Sequence, residues 1–188
     1  MLIDWLLKNI FDVTIDEQLM QVQWMKYYLK TCLVGLTNLI LLIVLSLLLK
    51  TVLATFIVYC VMIVLRPVAG GWHAKKRVLC TIQTITFYVL IPLVLQLFTY
   101  DLSYLVKFLL AGIVVTLFYC FAPQGTEIEP VKEEHVESLK KKSLQRVLFL
   151  LLLFFILPEP LGIFVLYGVI VQAFLIVPVT KKIIEGVF

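Results

Sequence analysis

Long apolar runs alternate with short polar breaks along almost the whole chain. Residues 31–49, "TCLVGLTNLILLIVLSLLL", carry no charge and are bounded by Lys30 and Lys50. At about 1.5 Å per residue such a helix is about 28 Å long, close to the ~30 Å hydrocarbon thickness of a bilayer. Residues 51–65 form a shorter run that continues as a helix through the small residues after Arg66, or else takes a protein-lined position. Residues 78–98 are long enough to span, with Pro92 expected to kink the distal half. Residues 104–122 follow after a very short polar turn, and the two runs read as a helical hairpin.

The longest polar stretch, residues 123–146, opens on turn residues and reads as a solvated loop in which a helix begins near Val131. Beyond it, residues 147–157 and 161–179 are apolar and separated by Pro158, Glu159 and Pro160, a break suited to a tight turn between helices. The first of these is short unless it borrows Ser143 to Arg146, so a re-entrant helix is an alternative there. Residues 1–30 differ in kind. Asp4, Lys8 and Asp12 recur at helical spacing, while Leu2, Ile3, Trp5, Leu6 and Ile10 fall elsewhere around the helix. That pattern predicts an amphipathic interfacial helix, with a soluble cap packed on the bundle as the alternative. The fold class is all-α, a polytopic membrane bundle of about six transmembrane or re-entrant helices. Residues 1–30 form the interfacial segment and residues 31–188 the bundle.

Composition strengthens this picture, with 62% of the 188 residues hydrophobic and 15% charged. A separate soluble domain of ordinary size has no room. The net charge of +4 does not point to nucleic acid, because no basic stripe is interleaved with stacking aromatics. Membrane topology accounts for it. In the six-span reading fourteen Lys and Arg residues fall on the face that holds both termini, against Lys50 and Lys107 on the other. The positive-inside rule therefore puts both termini, the loop 66–80 and the loop 123–146 in the cytoplasm. A four-span arrangement with two re-entrant helices leaves the loop 66–80 on the same side. The first residues lack a cleavage-site pattern, so no removed signal peptide is expected.

One polar island holds the candidate chemistry: "VAGGWHAKKRVLC", residues 68–80. On one straight helix His73 and Cys80 would stand about 10 Å apart along the axis, too far for a hydrogen bond. His73 must then ride on a loop that folds back over the helix carrying Cys80, and Gly70 and Gly71 supply the backbone freedom for such a reversal. Lys75, Lys76 and Arg77, an imidazolium at His73 and the start of a helix would each favour the thiolate, which is the nucleophile. A cysteine in an apolar span is ordinarily a packing residue, and Cys32, Cys60 and Cys120 are read so. None of the four cysteines forms a CxxC pair, so neither a zinc ribbon nor a disulfide framework is indicated. His135, in a charged stretch, reads as a solvated surface residue.

The stretch "LRPVAGGWHAKKRVLC", followed by a long apolar helix and later by "FAPQGTEIEP", resembles the AgrB family of quorum-sensing membrane peptidases. The resemblance extends to "MLIDWLLKNI" and "VPVTKKIIEG" and so covers nearly the whole chain. Carried over residue by residue, the family's catalytic histidine falls on His73 and its catalytic cysteine on Cys80. The resemblance implies processing of an AgrD-type propeptide on the inner membrane surface. Cys80 would attack the carbonyl at the cleavage point, expel an acidic tail and hold the remaining peptide as a thioester. A side chain within the peptide would then close a lactone or a thiolactone. The thioester keeps the acyl group activated, so no ATP, metal or organic cofactor is required, provided water is excluded.

Supporting roles fall on residues around this pair. Gln83 and Thr84 lie three and four positions after Cys80, on its face of the helix, placed to orient His73, donate to an oxyanion or satisfy each other within the bundle. Arg66 is a candidate contact for the acidic tail or an anchor of a helix end. Lys75, Lys76, Arg77 and Lys140, Lys141, Lys142 are further candidate contacts for an acidic peptide or lipid headgroups. A chain this small acting on a peptide leaves room for a homodimer. A non-enzymatic peptide exporter is the competing reading, and it needs ionisable residues along an intramembrane path. Lys107, near a span end, is the one residue that offers this. An intramembrane metalloprotease needs more ligands than two distant histidines provide.

Overall fold

The computed structural model describes residues 20–72, 77–98, 103–125, 131 and 133–178. All regular elements among them are helices: α1 (Met20–Leu48), α2 (Val52–Ala69), α3 (Arg77–Ile85), a π-helical turn (Thr86–Leu90), α4 (Ile91–Gln96), α5 (Tyr104–Phe121), α6 (Glu133–Ile156) and α7 (Leu161–Ile176). Among the described residues three stretches are long and apolar enough to cross a bilayer: Val52–Ala69, Val78–Gln96 and Tyr104–Phe121. Cys32–Leu48 and Leu161–Ile176 are shorter apolar helices. Large apolar side chains such as Leu48, Leu97 and Leu105 are exposed, a surface that lipid covers at no cost and water would not tolerate. The all-α membrane bundle expected from the apolar runs is what the chain forms.

The chain divides after Val44 into two units. In the first, α1 starts well before the expected onset at Thr31, so the helix includes the end of the segment read as interfacial. The amphipathic reading of residues 1–19 lies outside the described residues. The second unit opens on the end of α1, where Lys50 takes φ 56°, Thr51 N–H bonds to Ser46 O at 2.9 Å and Lys50 N–H to Leu47 O at 3.3 Å. This is the left-handed reversal that usually employs glycine.

The core of the second unit lies between α2, α5, α6 and α7, with Leu65, Phe118, Val147 and Val169 fully shielded. The α2 and α7 backbones approach closely at Gly168, where an added Cβ would stand 2.9 Å from Val61 Cγ1. The charged stretch expected as a loop to Arg146 is helical from Glu133, as the expected onset near Val131 anticipated. Two physical reasons favour this: Glu133 and Glu134 sit at the positive end of the helix dipole, and Glu137 precedes Lys141 by one turn. Residues 147–157 thus join a long helix that borrows Ser143 to Arg146 and more. At the other end of the bundle, Lys107 on α5 forms a 2.6 Å ion pair with Glu159 in the Pro158–Pro160 turn.

Pro92 follows a change of helical register. Ile91 N–H bonds to Thr86 O, the i→i−5 pattern of a π turn. In that register Phe87 O falls opposite Pro92, which has no N–H to offer. The hydroxyl of Tyr167 on α7 donates to Phe87 O instead, at 3.0 Å. Tyr167→Phe therefore leaves a carbonyl unpaired, and we expect a loss of about 1 kcal/mol, the scale of interhelical hydrogen bonds in membranes. Reversible unfolding in mixed micelles measures this, and an unchanged stability would remove the assigned role of Tyr167.

Candidate functional site

The site begins at the end of α2. Pro67 lies inside that helix and cannot donate to Ile63 O. At the neighbouring carbonyl, Val64 O, the Arg146 guanidinium of α6 donates at 2.6 Å. The helix runs on to Ala69 and ends at two glycines with positive φ, Gly70 at 68° and Gly71 at 123°. A side chain at either position would be strained, and at Gly70 an added Cβ would overlap Gln124 O.

The reversal is tied down on two sides. Toward the segment after α5, Gly71 N–H donates to Gln124 O at 3.0 Å and Gln124 N–H to Ala69 O at 2.9 Å. These bonds make an isolated parallel bridge between Gly70 and Gln124. Toward α7, Trp72 N–H donates to Leu175 O at 2.9 Å and Gln172 Nε2 donates to Gly70 O at 2.6 Å. The next residue is His73. His73, Lys75 and Lys76, with the side chain of Arg77, lie outside the described residues, so the expected meeting of imidazole and thiol does too.

Chain description resumes at Arg77, where α3 begins, and Cys80 stands in the first turn, neither fully buried nor exposed. Thr84, one turn on, donates its hydroxyl to the backbone carbonyl Cys80 O at 2.8 Å. Arg66, Gln83, Thr84, Phe87, Tyr88 and Leu175 line a small open pocket. Arg66 reaches into it from α2, close enough to Tyr88 and to Cys80 to act on both electrostatically. The pocket thus brings together three of the candidate residues, Arg66, Gln83 and Thr84, beside the cysteine.

Lys140, Lys141 and Lys142 are elsewhere, on the charged half of α6, where Lys140 Nζ sits 4.2 Å from the Tyr119 ring centroid. His135 is exposed on the same helix, as its charged surroundings suggest. Among the described residues no three His, Cys, Asp or Glu side chains gather as a metal-ligand set.

Sequence reading missed three polar side chains that build this region: Arg146, Tyr167 and Gln172. For Gln172 a signal was present, since it is the one amide in the apolar run 161–179, where such a group needs a partner.

The chain can be set beside known proteins. A family model described as accessory gene regulator B matches residues 1–176. Protein FsrB of Enterococcus faecalis is 48% identical over 186 residues, covering 99% of this chain and 77% of that protein. Accessory gene regulator protein B of Staphylococcus intermedius is 35% identical, covering 72% of this chain and 71% of that protein. The protein of the same name from Staphylococcus aureus is 28% identical over 134 residues, covering 71% of each. No solved structure matches. With a family model spanning most of its length and a relative nearly half identical from end to end, the chain belongs to the AgrB family, accessory gene regulator B.

Proposed function

We propose that this chain is a membrane cysteine endopeptidase of quorum sensing that removes the tail of an AgrD-type propeptide and closes the remainder into a ring. Cys80 is the nucleophile and His73 its acid–base partner. The Cys80 sulfur attacks the carbonyl carbon of the scissile peptide bond, the C–N bond breaks, and His73 gives the departing amine its proton. The peptide is then held as a thioester on Cys80. A hydroxyl or thiol of the same peptide loses its proton to His73 and attacks the thioester carbon, the S–C bond breaks, and the ring leaves as a lactone or thiolactone. Acyl activation passes from amide to thioester to ring bond, so no external energy source enters.

The observation that carries this reading is the tether at Trp72. The residue bonded covalently to His73 is held by Leu175 O, and Leu175 lines the same pocket as Thr84, whose hydroxyl donates to the backbone carbonyl of Cys80. Arg66, in that pocket, is the natural contact for an acidic group of the substrate. The exporter reading gains nothing comparable, because Lys107 is engaged by Glu159. Charge distribution supports a cytoplasmic site and cytoplasmic termini.

Mass spectrometry of the chain co-expressed with its precursor tests the chemistry directly. An acyl adduct on the peptide containing Cys80, lost on treatment with hydroxylamine, is the expected result. Tail removal with no adduct at any time point, and with full activity after thiol alkylation, would sink the thioester route.

A further inference from the structure

Gln172 is fully buried in α7, and among the described residues only half of its amide is satisfied: Nε2 donates to Gly70 O at 2.6 Å, while Oε1 finds no hydrogen-bond partner there. The orientation of the amide is set by Gly70 O, which accepts from nitrogen and would repel oxygen. As a filler of apolar space this is a costly choice, because a buried polar group without a partner is disfavoured and methionine would occupy similar volume without that penalty. Methionine cannot hold the Gly70 carbonyl. The double-glycine reversal has three other tethers, Gly71 N–H to Gln124 O, Gln124 N–H to Ala69 O and Trp72 N–H to Leu175 O, all made by backbone alone.

The same helix braces the cysteine side. Tyr167 donates to Phe87 O, and the rings of Phe174 and Phe87 meet edge to face with centroids 6.3 Å apart. Phe87 stands two turns after Cys80 on one continuous helical rod. α7 is therefore in contact with both halves of the site, the reversal that leads to His73 and the rod that carries Cys80.

We propose that Gln172 is a positioning residue for this reaction: by holding Gly70 O from the helix that also braces the cysteine rod, it fixes the direction in which the chain leaves the reversal toward His73. The proposal rests on the peptidase reading above. With the amide gone, the backbone tethers keep the reversal folded but let it rock about its glycines. Misplacement of a catalytic group by about 1 Å can cost on the order of 100-fold in rate.

The test compares Gln172→Met with the full chain in membrane vesicles carrying the precursor. We expect kcat for tail removal to fall about 10- to 100-fold with KM changed less than about threefold, since orientation and not substrate binding is lost. We also expect the rate of iodoacetamide labelling on the Cys80 peptide to drop toward that of His73→Ala, whereas simple loosening of the structure would raise it. Gln172→Asn, which keeps an amide too short to reach, should behave as the methionine variant does. Wild-type kcat and labelling in either variant overturns the proposal, and so does failure of both to accumulate as folded protein, which would make Gln172 a residue of the fold alone. His73→Ala and Cys80→Ala run alongside: tail removal by either overturns the peptidase reading itself, while their inactivity beside an unimpaired Gln172→Met overturns only the role of Gln172.

Discussion

Cys80→Ala is expected to abolish removal of the propeptide tail while the protein accumulates in the membrane at its usual level. The thiol stands in the first turn of α3, partly exposed, so its loss opens no sealed cavity. The rod it sits on is held further along, by Tyr167 at Phe87 and by the packing of Tyr88 against Tyr59, with ring centroids 6.1 Å apart. Stability should therefore change by no more than about 1 kcal/mol. Activity should fall by at least about 1,000-fold, because without the sulfur there is no thioester and only binding and polarisation of the scissile carbonyl remain. Cys80→Ser should be nearly as poor, since a hydroxyl is a far weaker nucleophile near neutral pH. His73→Ala removes the proton donor to the leaving amine and should cost about 100- to 10,000-fold. Cys60→Ala, on α2 and likewise partly exposed, is the matched control and should process normally. Quantifying released tail by mass spectrometry separates these cases, and a Cys80→Ala variant that cleaves at the normal rate ends the assignment of the nucleophile.

How far the sequence foretells this arrangement depends on the range over which each feature is determined. Apolar runs mark the helices well, because a span is a local property of about twenty residues. The ends are less legible: nothing at Thr31 stops α1 from starting at Met20, since backbone hydrogen bonding continues past the last apolar residue. Pro92 was readable as a disturbance but not as a π turn, whose stability here depends on a hydroxyl 80 residues away at Tyr167. The same holds at the site. Gly70 and Gly71 announce a reversal by their type alone, and Thr84 announces its closeness to Cys80 by spacing. Gln172 and Arg146 act on carbonyls 102 and 82 positions distant, and no periodicity in the chain encodes such partners. The identity of each helix was thus written locally, while the bonds that hold the site together arise from the packing of α7 and α6 against α2.

Gly70→Ala is expected to be the most damaging Gly→Ala change among the six glycines whose surroundings are described. The glycine adopts φ 68° and ψ −139°, a conformation that L side chains rarely take, and strain of this kind costs about 1–3 kcal/mol. The added carbon would also overlap Gln124 O, a backbone atom in the bridge that closes the reversal. Overpacking adds about 1–3 kcal/mol, and a backbone obstacle cannot yield as a flexible side chain would. The sum is a large part of the roughly 5–15 kcal/mol that holds an ordinary domain together. The chain has two ways to relieve it: break the bridge at Gln124 and let the reversal move, or fail to fold. Both displace the segment leading to His73, so tail removal should be lost either way, by about 100-fold or more if the protein still folds. Gly35→Ala and Gly112→Ala are the natural comparisons, because a Cβ at either meets nothing within 4 Å. In a helix alanine is favoured over glycine, so these two should be neutral or slightly stabilising. Cleavage assays on the three variants, normalised to the folded protein recovered, distinguish a local geometric effect from a general intolerance of added bulk. Normal cleavage by Gly70→Ala would mean that the reversal tolerates displacement from Gln124, and the pinned turn would then lose its place in the mechanism.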